Sequence, residues 1–189
     1  HCIPVDPHYL SWLAREYDFE TSFITLSARI NEEMPHYVTN AVVQAVADQP
    51  RTLSDTEVLL LGVAFKPNVE DTRHSPAHSV VRLLRERGLE TLRYADPHVQ
   101  EYTVPGDKGS LPRVEVTPDT LASHDVVVIL TDHDAFDYEQ IARHASCVVD
   151  TRNAIGDQKR GETPNVRTLG NGSFQTGPPA PSGINAPLS

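Results

Sequence analysis

The sequence predicts an α/β protein: an open parallel sheet preceded by a helical segment with one long helix. Three observations carry that prediction. Short, uninterrupted apolar runs read as strands buried on both faces. Helical stretches with capping signals fill the gaps between those runs. Ahead of the alternation lies a region with helical periodicity and no strand pattern.

From Tyr9 to Tyr17 (YLSWLAREY) the apolar spacing suits a short helix. A longer helix is expected from Ser22 to Ala47, where Ile30, Met34, Val38, Val42 and Val46 recur every fourth residue and Arg29, Glu32 and Glu33 fall off the stripe. Pro35 has no N–H to donate and its ring crowds the preceding turn, which predicts a kink. A stripe on one long helix needs a partner surface, either a second subunit or a further domain.

A charged, Pro-containing linker (DQPRTLSD, 48–55) separates this segment from the alternating part. Strands are expected at 57–63 (EVLLLGV), 91–95 (TLRYA), 125–130 (DVVVIL) and 147–150 (CVVD), with a weaker fifth at 166–169. Ser75-Pro76 supplies an N-cap and first helical residue for a helix to about Arg87, which Gly88 ends. Further helices are expected at 118–122 and from Asp134 or Phe136 to about Arg143. Strands and helices in alternation build right-handed crossovers, and ligands of such sheets collect at the strands' carboxyl ends. Residues 172–189 are rich in Gly, Pro and Ser with a single Phe, too little apolar surface to offset the entropy of ordering, and read as a disordered tail. The expected division is therefore 1–50, 51–171 and 172–189.

Composition narrows the function. With 189 residues, 39% hydrophobic and 22% charged, the chain can bury a core, and no apolar run nears the roughly 20 residues of a membrane span. A net charge of −10 opposes nucleic acid and anionic membrane, so neither is expected as a partner and any phosphate ligand needs local positive charge. Cys2 and Cys147 form no CxxC pair, which offers neither a disulfide framework nor a zinc site and points to a reducing, cytoplasmic setting. The chain begins at His1 with no leader-like segment and reads as cut from a longer protein.

No GxGxxG, GxxxxGK[ST] or GxSxG occurs. The first strand instead runs into a polar loop, GVAFKPNVEDTRHSP, that ends at a helix N-terminus flanked by Lys66 and Arg73, readable as an anion site or as a solvated loop. Asp132-His133-Asp134 is the nearest approach to a metal cluster, but adjacent side chains point apart, and helix capping by Asp132 or Asp134 is the simpler reading; no metal is expected. Cys147 lies inside an apolar strand and reads as a buried, inert thiol. Cys2 differs: it precedes a helix, whose N-terminus lowers a thiol's pKa, and Asp6 follows four residues on, placed to orient water.

Three segments carry a family resemblance. HCIPVDPHYL resembles the catalytic cysteine motif of the nucleotide-sugar 6-dehydrogenases, the NAD-dependent UDP-glucose, UDP-N-acetylhexosamine and GDP-mannose dehydrogenases. GVAFKPNVEDTRHSPA resembles the opening motif of that family's C-terminal, Rossmann-like UDP-binding domain, and Val149-Asp-Thr-Arg-Asn153 the short motif near its end. Ile-Pro-Val-Asp-Pro-His-Tyr after the cysteine is most similar to the UDP-N-acetylglucosamine and UDP-N-acetylmannosamine branch, with UDP-glucose and GDP-mannose as alternatives. The resemblance implies a two-step oxidation of a sugar C6 hydroxyl to a carboxylate with NAD as cofactor. Cys2 would form the thiohemiacetal and thioester, and Asp6 would assist the hydrolytic water. Phe65, Lys66 and Arg152 would contact the UDP-sugar, and Arg73 the NAD pyrophosphate. It also implies that residues 1–50 end a central dimerisation domain, so a homodimer or larger homo-oligomer through the long helix is expected. A non-catalytic UDP-binding or dimerisation module, and a thiol hydrolase using Cys2, are the competing readings.

Overall fold

The computed structural model describes residues 5–106, 110–156 and 164–169. Cys2 and the expected tail at 172–189 lie outside them. Five strands, β1 (Glu57–Leu61), β2 (Thr91–Ala95), β3 (Val126–Ile129), β4 (Val148–Asp150) and β5 (Val166–Thr168), form one sheet in the order β2-β1-β3-β4-β5. Every pairing is parallel, with Leu60 level with Tyr94 on one side and with Val128 on the other.

Helices cover both faces, which is why the strands are apolar throughout rather than alternating. Val58, Leu60, Val126 and Val128 pack into one core layer with α2 (Ser22–Ala47) and α3 (Pro76–Glu86). Leu59, Leu61, Val127 and Ile129 pack into the opposite layer with Leu121 of α4 (Pro118–Ser123) and Ile141 of α5 (Tyr138–His144). A first helix, α1 (Asp6–Arg15), begins earlier than the apolar spacing suggests because Pro7 suits the first turn of a helix.

The capping signals around α3 are realised. Ser75 Oγ accepts the Ala77 N–H at 3.2 Å, Pro76 stands at the first helical position, and Gly88 turns the chain out with φ +92°. For α5 the cap is Asp137, whose Oδ1 accepts the Gln140 N–H at 3.0 Å; Asp132 and Asp134, the residues expected to cap, bond elsewhere.

The long helix forms over its full expected span, and Pro35 sits within it without ending it. The Thr39 hydroxyl donates to the Pro35 carbonyl at 2.8 Å, while the missing proline N–H leaves the Asn31 carbonyl without its helical donor. The apolar stripe divides at this point. Val38, Val42 and Val46 are buried, so the partner of the second half of the stripe is this chain's own sheet and α3. Ile30 and Met34 stay 51% and 38% exposed; Phe23 earlier in α2 and Tyr9, Leu10 and Trp12 of the helix α1 that packs on it are exposed as well. No helix of the described residues is long and apolar enough to cross a membrane.

Candidate functional site at the carboxyl edge of the sheet

Strand order reverses between β1 and β3, and there the loops leaving the two strands diverge to opposite faces and open a crevice. A cavity of about 170 Å³ occupies it. Phe65 from the loop after β1, Thr131 from the loop after β3 and Arg152 from the loop after β4 line it, together with the first turn of α3 and Met34 of α2. The α3 N-terminus brings backbone N–H groups and the positive end of the helix dipole to the crevice, a setting suited to an anion.

Close backbone approach shapes the crevice. At Gly62, with φ +76°, a β-carbon would stand 2.3 Å from the Thr131 carbonyl oxygen. The Thr131 hydroxyl then donates to the Ala64 carbonyl at 2.8 Å, tying the first and third strand ends together.

Two buried carboxylates, one past β2 and one at the end of β4, organise the remaining loops. Asp150 Oδ1 accepts the N–H groups of Arg152 and Ala154, and its Oδ2 that of Ile155, which folds the Arg152 turn back over the sheet. Asn153, in that turn, takes φ +58°. Asp96 does the same for the loop after β1: Oδ2 accepts from Val63 N at 2.7 Å and Ala64 N at 3.2 Å, and Oδ1 from His98 N and Val99 N. Burial alone would raise the Asp96 carboxyl, but the hydrogen bonds from His133 and from the His98 and Val63 amides outweigh it and hold the group below its ordinary value.

The residues singled out in the sequence fall into three groups. Phe65 and Arg152 share the cavity, and the Arg152 Nε donates to Asp132 at 2.9 Å, which aims the guanidinium. Lys66 is exposed beside it, its Nζ 5.8 Å from the centre of the Phe65 ring, within cation–π range. Arg73 lies apart, in a surface recess shared with Glu70, Asp71 and Glu101, and its guanidinium holds Asp71 through Nε at 3.0 Å and Nη2 at 2.8 Å. That clasp pulls the Asp71 carboxyl down to about 2. Asp6 stands exposed in the first turn of α1, and Cys2, its expected partner, lies outside the described residues. Cys147 is buried as expected, with its thiol pushed up by desolvation. Among the described residues no group of His, Cys, Asp or Glu could hold a metal ion. Asp96, His133, Thr131 and Asp150 were not legible as site residues, although an acid directly after an apolar strand is a signal that loop amides will cap it.

This sheet order, with its cavity at the point of reversal, puts the chain in the doubly wound class of nucleotide-binding α/β domains. Residues 59–157 match the UDP binding domain of the UDP-glucose/GDP-mannose dehydrogenase family, and the chain belongs to that family. It is 31% identical over 185 residues to a UDP-N-acetyl-D-mannosamine dehydrogenase of Methanococcus maripaludis, covering 92% of this chain and 39% of that protein. It is 32% identical over 153 residues to an NDP-N-acetyl-D-galactosaminuronic acid dehydrogenase of Ralstonia solanacearum, covering 80% of this chain and 34% of that one. Among solved structures, the UDP-D-ManNAc dehydrogenase of Pyrococcus horikoshii superposes with a TM-score of 0.69 at 27% identity, over 92% of this chain and 38% of its own. The chain thus spans about two fifths of the length of the relatives it matches.

Proposed function

We propose that this chain holds the nucleotide sugar in an NAD-dependent 6-dehydrogenase acting on a UDP-N-acetylhexosamine, the parent enzyme oxidising the sugar C6 hydroxyl to a carboxylate. The observation that supports it is the cavity at the strand reversal, lined by Phe65, Thr131 and Arg152, within the segment that matches a UDP-binding domain. Phe65 offers an aromatic wall, Arg152 and Lys66 offer charge to a diphosphate, and the α3 N-terminus offers N–H donors. The names of the two relatives compared above favour an N-acetylated sugar over glucose.

The chemical step falls to the N-terminal segment. Cys2 would add to the C6 aldehyde as a thiolate, giving a thiohemiacetal whose oxidation leaves a thioester, and Asp6 would draw a proton from the water that hydrolyses it. NAD is the oxidant expected of the parent. Among the described residues only Arg73 is a candidate for it, and Arg73 is clasped by Asp71 beside Glu70 and Glu101, an acidic surrounding that does not by itself hold a pyrophosphate. Arg73 would therefore meet the NAD pyrophosphate only together with groups beyond these residues. The exposed apolar surface of α1 and the first half of α2 is the face a second copy would cover.

Calorimetry of UDP into the 189-residue chain tests the assignment. Binding that weakens with added salt is expected, since short-range charge must overcome a net charge of −10. Lys66→Ala should cost about 1.5–3 kcal/mol of binding, as for a charge-assisted hydrogen bond, and Arg73→Ala should cost little. Loss of binding in the Arg73 variant with none in the Lys66 variant would reverse the assignment of the two cations.

A further inference from the structure

His133 lines no part of the cavity, yet it is wholly buried and both its ring nitrogens are matched. Nδ1 lies 2.9 Å from the backbone nitrogen of Asn68, and Nε2 lies 3.1 Å from Asp96 Oδ2. A backbone N–H can only donate, so Nδ1 carries the lone pair and Nε2 the proton, which it gives to the Asp96 carboxylate. The same Asp96 oxygen accepts the N–H groups of Val63 and Ala64. Both ends of the segment that carries Phe65 and Lys66 are thus fastened to one buried pair, the near end by Asp96 and the far end by His133. On the outside, Asn68 and Asp134 exchange two hydrogen bonds, Nδ2 to Oδ2 at 2.8 Å and Asp134 N to Oδ1 at 3.1 Å. Asn68 itself sits at φ +61°, a left-handed conformation that asparagine tolerates better than other side chains.

We propose that His133 is a positioning residue for the nucleotide-sugar site: through its pair with Asp96 it fixes the segment from Val63 to Asn68, so that Phe65 and Lys66 are in place before the ligand arrives. The role rests on the reading of Phe65 and Lys66 as ligand contacts. Its effect is preorganisation, since a loop already ordered loses less entropy on binding. Glutamine carries an acceptor and a donor at nearly the separation of the two ring nitrogens, whereas leucine fills the volume and offers neither.

The test compares wild type, His133→Leu and His133→Gln in the full 189-residue chain, by UDP calorimetry and by amide hydrogen exchange at Asn68 and, as a core reference, at Leu60. The expected result is that His133→Leu weakens UDP binding about tenfold and speeds exchange at Asn68 while Leu60 stays protected. His133→Gln should restore both. In the background of Lys66→Ala, His133→Leu should cost much less than tenfold, because it acts through the loop that carries Lys66. Equal loss of protection at Leu60 and Asn68, or full additivity with Lys66→Ala, would make His133 a fold residue only and overturn the proposal. Should His133→Leu not fold, wild type decides: slow exchange at Asn68, an exposed residue, supports the bond to His133, and fast exchange removes it. If wild type binds no UDP, the ligand assignment fails, while exchange at Asn68 still reports whether His133 holds the loop.

Discussion

Replacing Gly62 with alanine probes the closest backbone approach in the site. The residue has φ +76°, and an L side chain in that region costs roughly 1–2 kcal/mol. The added β-carbon would stand 2.3 Å from the Thr131 carbonyl oxygen and 2.7 Å from its Cβ, so backbone rather than a flexible side chain must yield. Overpacking of that kind costs about 1–3 kcal/mol, and alanine's smaller unfolded-state entropy returns about 0.4–1 kcal/mol. The net expectation is a loss of about 2–4 kcal/mol, within the roughly 5–15 kcal/mol of a typical domain, so the variant should still fold. Urea denaturation gives the loss as a lower midpoint at an unchanged slope. Gly88→Ala is the control: it shares the left-handed backbone, φ +92°, but its β-carbon would meet nothing within 4 Å. There the backbone cost of roughly 1–2 kcal/mol applies alone, less the same entropy return of about 0.4–1 kcal/mol. The difference between the two variants isolates the Thr131 contact, and UDP affinity should fall only for Gly62→Ala, because Thr131 lines the cavity. Equal destabilisation by the two substitutions would refute the reasoning.

Asp150→Ala should cost about 3 kcal/mol of stability by leaving three loop amides without their acceptor, and should weaken UDP binding through the Arg152 turn; calorimetric unfolding and UDP titration together check it. The Asp71 carboxyl, held near 2 chiefly by hydrogen bonds from the Arg73 side chain, is depressed from an unfolded value of about 4. Its contribution is therefore fully present above about pH 4 and lost as pH falls through 2, and a carboxyl NMR titration with a midpoint near 4 would show the clasp does not form. Sedimentation at micromolar concentration should show a dimer through α1 and the first half of α2, and Phe23→Glu, at a residue 89% exposed, should shift it toward monomer without unfolding it.

How far the fold was legible follows from what each signal depends on. A strand covered on both faces must be apolar throughout, and EVLLL, VVVI and VVD announced themselves for that reason. Local capping chemistry likewise placed α3 from Ser75 to Gly88. The Asp132-His133-Asp134 triplet shows where legibility stops. Each side chain leaves in a different direction: Asp132 goes to Arg152, His133 to Asp96 and Asn68, and Asp134 to Asn68. None of these hydrogen-bond partners lies closer than 20 residues along the chain, so nothing in the local pattern distinguishes a helix cap from a clasp between loops. Phe65 and Arg152, by contrast, are assigned through family resemblance; spacing alone leaves the loop that carries Phe65 between an anion site and a solvated turn.

The division of the α2 stripe also bears on how the site is held. Its second half is fixed to the sheet by buried Val38, Val42 and Val46. At its end the Gln49 side chain donates to the Asp125 carbonyl and Asp48 accepts from Arg167 of β5. The same helix, continuous through Pro35, carries Met34 at the cavity wall and, one turn earlier, Ile30 on the exposed apolar face. A residue that lines the cavity and a residue that faces outward are therefore one helical turn apart on a single element whose far end is immobilised against the core. The proline interrupts the hydrogen-bond ladder of that turn, because the Asn31 carbonyl lacks its helical donor. Pro35 thus marks the boundary between the part of α2 that is buried against the sheet and the part whose apolar side chains stay exposed.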